Sequence, residues 1–151
     1  MRSQPSGKSA IITSTTFDVS LDQAQGAVDA GRRRALELDL KMNVAVVDAG
    51  GNLKAFARMD GAWLGSIDIS IKKARTARYF DMQTADLSPT VQPGEPLYHI
   101  EFSNGGLITF PGGIPLTLDD GTVIGAVGVS GSTVDNDQAV AEAAAEVIVI
   151  S

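Results

Sequence analysis

The spacing of hydrophobic residues along the chain predicts three helices. Apolar residues recur every three or four positions in two segments, and a third segment is rich in alanine. The three segments run from a cap at Asp18 or Ser20 to about residue 39, over about 64–80 and over about 134–148. Alanine on several sides of the last helix predicts close packing against a sheet or another subunit.

Five short apolar runs, each bounded by turn residues, predict five strands. The runs cover residues 43–48, 53–59, 107–110, 114–118 and 122–129. The first two runs flank Ala49-Gly50-Gly51-Asn52, which predicts a hairpin. Because the connections are short turns, the strands should pair antiparallel. The sequence therefore predicts an α+β domain, in which helices pack on a five-stranded antiparallel sheet.

The last three predicted strands lie in a glycine-rich stretch, residues 105–131. Glycine inside a strand indicates that another group approaches the backbone closely, and this group could be a ligand or a helix. Gly125 and Gly128 do not have the spacing of a dinucleotide-binding loop, so we interpret them as packing positions beneath the final helix. The Gly112-Gly113 pair is then the better candidate for a ligand site.

The second predicted helix carries apolar residues on two sides, so it must be covered twice. Ile67 and Ile71 lie on one side, and Ile69 lies nearly opposite, beside Lys73 and Thr76. One side would face the core. The other would form a subunit contact, or a pocket lined by Lys73 and Thr76.

Composition and charge narrow the functional classes. With 151 residues and a net charge of −6, we expect one domain over 18–151 after a flexible segment 1–17, and no affinity for nucleic acid or anionic membranes. The lack of cysteine and the single histidine exclude thiolate and multi-histidine sites, and we expect no metal site. The chain shows no apolar run of signal-peptide or membrane-span length, which predicts a cytoplasmic protein.

His99 is the only imidazole in the chain. A histidine beside Tyr98 and Ile100 is most often a packed, hydrogen-bonded residue, but it can also act as a general base or as an axial haem ligand. The chain has no nucleophile elbow, and no spacing pairs its acids with a base. These motifs alone leave the function open.

Several blocks of the sequence together resemble the GlcG/HbpS family, also called the haem-degrading or PduO C-terminal-like family. The blocks are NVAVVDAGGNL at 43–53, RMDGA at 58–62, KARTA at 73–77, GGIPL at 112–116 and GTVIGAVGVSG at 121–131. The resemblance implies a profilin-like fold with a five-stranded antiparallel sheet and assembly into homo-oligomers, from dimers to octamers. It also implies haem binding or degradation in some relatives, so it determines the fold better than the function.

Two departures from the haem-binding relatives favour a small polar ligand over haem. Ile114 follows Gly112-Gly113, where a hydroxyl side chain could have offered an oxygen ligand. Aromatic residues make up only 5% of the chain, and we expect the core to take up most of them.

The first functional hypothesis is an oligomeric binding protein with a pocket near the Gly112-Gly113 turn. Its ligand would be haem or a small anionic catabolite, so the cofactor stays undetermined. Basic side chains and backbone N–H groups would hold an anion. The expected ligand-binding residues are Lys73, Arg75, Thr76, Gly112, Gly113 and Ile114.

The alternative is a cofactor-independent enzyme of a catabolic pathway: an isomerase, lyase or hydrolase acting on a small oxo- or hydroxy-acid. His99 would be the catalytic general base, within about 7 Å of the Gly112-Gly113 backbone. The N–H groups of that backbone would stabilise an oxyanion. A purely structural role is the third hypothesis.

Overall fold

The computed structural model describes residues 17–148, which form one sheet with helices on both faces. The helices are α1 (Leu21–Glu37), α2 (Gly65–Phe80), α3 (Thr84–Leu87) and α4 (Val134–Glu146). The strands are β1 (Asn43–Asp48), β2 (Leu53–Arg58), β3 (Gly113–Thr117) and β4 (Val123–Ser130). Two short 3₁₀ turns, Ser88–Val91 and Ile100–Phe102, lie between α3 and β3.

The sheet is antiparallel, as predicted, but it has four strands in the order β2-β1-β4-β3, so the prediction of five is wrong. The missing strand is the apolar run at 107–110. Its backbone amides bond elsewhere: Leu107 donates to the Glu101 carbonyl (3.0 Å) and Ile108 to the Thr76 hydroxyl (3.1 Å). The run is therefore apolar because it packs beside α2, and it pairs with no strand.

Side-chain caps set the starts of α1 and α4. The Ser20 hydroxyl accepts a hydrogen bond from the Gln23 amide, and the Gln23 side chain accepts one from the Ser20 amide, which forms a capping box. Thr133 caps α4 by accepting a hydrogen bond from the Asn136 amide. No helix within residues 17–148 is long and apolar enough to cross a membrane.

The two faces of the sheet have different cores. α1 and α4 cover one face, where larger residues such as Val44 and Val127 pack against the alanines of both helices. α2 covers the other face, where the buried apolar cluster consists of small residues such as Ala74 and Ala126. The α2 side is therefore the closely packed one.

Two glycines paired across β3 and β4 allow α2 to approach the sheet. Gly113 lies opposite Gly128, and a Cβ atom on Gly128 would lie against the Ser70 carbonyl oxygen and 2.5 Å from the Ala74 nitrogen. A Cβ on Gly113 would lie 2.5 Å from the Lys73 carbonyl oxygen. The interpretation of Gly128 as a position beneath the final helix is wrong, because its neighbour is α2.

This close approach determines which side of α2 is buried. Only small or polar side chains fit beneath the helix, and its buried residues are Ser66, Ser70, Lys73, Ala74, Thr76 and Ala77. The larger residues before and at its start point outward, and Trp63 and Leu64 are 65% and 71% exposed. The buried apolar residues of the second helix are therefore its alanines, whereas its isoleucines are half-buried and Tyr79 and Phe80 are exposed.

The aromatic residues also differ from expectation. None of the eight aromatic side chains is fully buried, and seven of them are exposed, with Phe102 the most exposed at 83%. The expectation that the core takes up most aromatic rings is therefore wrong. The core relies on alanine and β-branched residues, which leaves the rings on the surface.

Candidate functional site

Lys73 lies fully buried between α2, β4 and α4. Its ammonium donates hydrogen bonds to the Val129 carbonyl oxygen (2.8 Å) and to Asp137 Oδ2 (2.9 Å). The ring of Phe110 lies over the same ammonium, with its centroid 4.7 Å from Nζ. The residue predicted to line a pocket is thus held inside the protein by three neighbours.

Burial and pairing act in opposite directions on the two charges. Burial lowers the pKa of the Lys73 ammonium, and the adjacent Asp137 carboxylate partly offsets this effect. Burial likewise raises the pKa of the Asp137 carboxyl group, and Lys73 partly offsets that. Each charge therefore depends on the other, and Lys73 presents no unneutralised charge to a ligand.

The Gly112-Gly113 turn lies against this pair, and its amides already have partners. The Gly112 amide donates to Gln138 Oε1 (3.1 Å) and the Gly113 amide donates to Thr84 Oγ1 (2.9 Å). Gly112 has φ +127°, and a Cβ there would lie 2.7 Å from Lys73 Nζ. Glycine is required at this position by backbone conformation and by the lysine beneath it.

Arg75 and Thr76 have other contacts. The Arg75 Nε donates to the Gly51 carbonyl (3.3 Å), so this side chain holds the turn between β1 and β2. Arg78, one turn later, donates in the same way to the Ala49 carbonyl (2.6 Å). The Thr76 hydroxyl donates to the Lys72 carbonyl and accepts from the Ile108 amide, which anchors the segment before Gly112.

Ile114 belongs to the opposite face of the sheet. It is 8% exposed and packs in the core with α1 and α4. It also borders a surface groove of about 360 Å³ whose other walls include Glu142 and Glu146. Of the six residues predicted to bind a ligand, the structure therefore brings Lys73, Gly112 and Gly113 together, places Thr76 nearby, and separates Arg75 and Ile114.

His99 lies on an exposed turn in the long segment before β3. Its φ is +76°, a conformation that is uncommon outside glycine. Its ring stacks on Tyr98 (centroids 3.8 Å apart) and meets the edge of Phe102 (5.3 Å). Neither ring nitrogen forms a hydrogen bond with any residue in 17–148, so the imidazole does not have the hydrogen-bonded structural role that is most common for histidine.

The turn that carries His99 is tied to the segment leading to Gly112. Glu101 provides both bonds: its carbonyl accepts from the Leu107 amide (3.0 Å) and its carboxylate accepts from the Thr109 hydroxyl (2.9 Å). Within residues 17–148, no three side chains of histidine, aspartate or glutamate gather as a metal site would require. The single imidazole, which can serve as an axial haem ligand, lies exposed on this turn.

Sequence reasoning missed the partners of Lys73 and of the glycine turn. Asp137 lies 64 positions from Lys73, and Gln138 lies 26 positions from Gly112. Both are in the first turns of α4, where acidic residues are common at any helix start. Only the tertiary structure, which brings the first turn of α4 within reach of the Lys73 ammonium, reveals that Asp137 is a buried counterion. Asp135 is also an acidic residue in the first turn of α4 but is exposed, so the sequence alone does not distinguish the buried carboxylate from the exposed one.

Comparison with known proteins places this fold among its relatives. The family model of the haem-degrading protein HbpS-like family matches residues 19–146. An uncharacterised 15.0 kDa protein of the dhaT–dhaS intergenic region of Citrobacter freundii is 42% identical over 127 residues, which cover 83% of this chain and 89% of that protein. Protein GlcG of Escherichia coli K12 is 37% identical over 77% of this chain and 84% of its own.

Solved structures give the same result. A crystal structure of a PduOC–haem complex is 36% identical, with a TM-score of 0.82, and the match covers 87% of this chain and 95% of that one. The crystal structure of HbpS is 30% identical, with a TM-score of 0.80, over 89% and 92% of the two chains. The chain therefore belongs to the GlcG/HbpS family, as the sequence blocks predicted.

Proposed function

We propose that this chain is an oligomeric small-ligand-binding protein, that its ligand is haem, and that His99 is the axial ligand. The observation that carries the proposal is the state of His99: an exposed imidazole between two aromatic rings, without a hydrogen bond to any residue in 17–148. A family member that is 36% identical forms a complex with haem. These two observations support the same ligand.

The residues around His99 fit haem chemically. A porphyrin needs apolar and aromatic surface beside its metal ligand, and Leu97, Tyr98 and Phe102 are exposed on the same turn. The nearby cation is Lys72, whose Nζ would lie 3.2 Å from a Cβ on Gly106 in the same segment. Lys72 pairs with Asp68 at 2.9 Å, so a propionate would have to compete with that exposed carboxylate. Bound haem would supply a redox-active iron, and the chain's contribution would be to ligate and orient it.

The Gly112-Gly113 turn supports an anion site less well. Both amides donate to side-chain oxygens, and Lys73 is paired with Asp137. An oxyanion hole for catalysis by His99 would need the same two amides. The geometry therefore favours haem binding at the His99 turn over either use of the glycine turn.

The outer side of α2 supports assembly into a homo-oligomer. Leu64 is 71% exposed just before its start, and Tyr79, Phe80 and Met82 are exposed at its other end. Apolar surface of this kind on a helix is typical of a protein interface. A second copy of the chain is the proposed partner for this surface.

Haemin titration of a His99→Gly variant tests the haem proposal. Glycine is favoured at φ +76°, so the variant should keep the backbone of the turn while it removes the imidazole. We expect the Soret shift of the wild-type complex to be lost and the haemin affinity to fall at least about tenfold, or about 1.4 kcal/mol. Added imidazole should restore the shift by filling the vacated position.

Asn104→Gly is the matched control. Asn104 is exposed in the same loop and also has a positive φ, of 53°, so the change has a similar backbone effect but leaves the imidazole in place. This variant should bind haemin like the wild-type protein. Equal Soret spectra for His99→Gly and wild type would show that His99 is not the axial ligand.

A further inference from the structure

A surface cleft lies at the other edge of the sheet, between the C-terminal end of α1 and the ends of β1 and β2. It consists of two adjoining cavities of about 360 and 260 Å³, which share Asp39, Leu40 and Lys41. The larger cavity extends to Arg58, and the smaller one extends to Trp63. No part of the haem proposal uses this cleft.

The cleft contains more cations than carboxylates, although the chain as a whole carries a net charge of −6. Arg32, Lys41 and Arg58 line it, against Asp39 and Asp60. Lys41 and Arg58 have no carboxylate within 4.0 Å among residues 17–148, and Arg32 pairs only with Asp29, at 3.8 Å. Lys41 and Arg58 therefore share a concave surface, and neither forms an ion pair with a carboxylate of residues 17–148.

The backbone around the cleft holds these cations in place. Gly61 has φ +82°, and a Cβ there would lie 3.1 Å from Lys41 Cδ, so the missing side chain leaves room for the lysine. Arg58 pairs with Asn43 at the end of the β1–β2 ladder. The strand pairing thus sets the backbone position of Arg58, and the Lys41 side chain lies against the Gly61 turn.

Two polar groups near the cleft have no partner in the described chain. Asn43 is fully buried, and its Nδ2 donates to the Trp63 carbonyl (3.1 Å), but its Oδ1 accepts no hydrogen bond. The Trp63 side chain lines the cleft, is 65% exposed, and its indole N–H makes no hydrogen bond with residues 17–148. A buried atom without a partner, such as Asn43 Oδ1, is rare. The exposed indole N–H of Trp63 is free to donate to water or to a ligand.

From these observations we infer that the cleft is a second binding site, for a small anion that carries a carboxylate or a phosphate group. Lys41 and Arg58 would hold the oxyanion by charge-assisted hydrogen bonds, and the Trp63 indole would donate a further one. Asp39 and Asp60 line the same cleft, so its three cations exceed its carboxylates by one, which suits an anion of low charge. The anionic ligand expected from the sequence would then bind here, away from the Gly112-Gly113 turn.

Trp63 is the only tryptophan of the chain, so its fluorescence reports directly on the cleft. The test is titration of the full chain with inorganic phosphate and, separately, with succinate, each against sodium chloride at equal ionic strength. We expect a saturable fluorescence change with at least one of the two oxyanions and none with chloride. The anion that produces the change identifies the chemical class of the ligand.

Two substitutions that remove positive charge test the assigned cations. Lys41→Gln combined with Arg58→Gln should weaken anion binding at least about tenfold, because both charged hydrogen-bond donors to the oxyanion are removed. Arg33→Gln is the control, because Arg33 is an exposed cation of α1 that does not line the cleft. It should leave the affinity unchanged.

The anion proposal and the haem proposal can fail separately. His99→Gly should leave the Trp63 response to anions intact, and the Lys41→Gln, Arg58→Gln variant should keep the Soret shift with haemin. Absence of a saturable response to both oxyanions in the wild-type protein would overturn the inference. An affinity that the double variant leaves unchanged would overturn it as well.

Discussion

Replacement of Asp137 by asparagine is expected to lower the free energy of unfolding by about 3–5 kcal/mol. The substitution preserves shape but removes the negative charge that faces the fully buried Lys73 ammonium, which is then left with only neutral oxygens as partners. Burial already lowers the pKa of Lys73 with Asp137 present, and without its counterion the charged form becomes still less favourable. Urea denaturation of the wild-type and variant proteins at pH 7 measures the loss.

A double-mutant cycle separates the ion pair from the rest of the packing. In a Lys73→Met background no buried ammonium remains, so Asp137→Asn should cost at least about 2 kcal/mol less than in the wild-type protein. Asp135→Asn is the matched control, because Asp135 is exposed two positions earlier in α4. Its loss should stay below about 1 kcal/mol, the range of helix-dipole effects. Additive effects of Lys73→Met and Asp137→Asn would contradict the proposed coupling.

Gly128→Ala is expected to destabilise the protein by at least about 3 kcal/mol, at the upper end of overpacking effects. The added methyl group would lie against the Ser70 carbonyl oxygen and 2.5 Å from the Ala74 nitrogen. Both are backbone atoms of α2, so no rotamer change can relieve the overlap, and the helix must move away from the sheet. Thermal and urea denaturation measure the effect on stability.

The Gly128 prediction has a control of opposite sign in the same protein. Gly26 lies inside α1 and has no atom within 4 Å of a Cβ built on it. Gly26→Ala should therefore stabilise the protein by up to about 1 kcal/mol, through helix propensity alone. A Gly128→Ala protein as stable as Gly26→Ala would show that α2 does not rest on the Gly113–Gly128 pair.

The displacement of α2 also connects packing with the interior ion pair. Lys73 is on α2, and its partners Val129 and Asp137 lie on β4 and α4. A helix shifted by the extra methyl group would pull the ammonium away from both oxygens. Part of the cost of Gly128→Ala should then disappear in the Lys73→Met background, and that difference is measurable by the same denaturation experiments.

Local patterns predicted most of the elements but not all of their pairings. The apolar, β-branched run at 43–48, the alternation in 53–59 and the glycine turn between them predicted the hairpin of β1 and β2 with an error of one residue. The apolar run at 107–110 has the same local appearance as a strand, yet its amides bond to Glu101 and Thr76. Hydropathy reports burial, and it cannot identify the partner of a backbone amide.

The sequence by itself determined the family, the antiparallel α+β architecture and the helix positions. These follow from residue periodicity and from short sequence blocks that resemble the family, both of which depend on neighbours in the chain. Only the tertiary structure decided what Lys73, Gly112, Gly113 and His99 contact. Asp137 meets Lys73 across 64 positions, and Gly128 meets α2, because the fold brings distant segments together. Contacts of that range leave no periodic signal in the sequence, so the candidate sites could be located only in three dimensions.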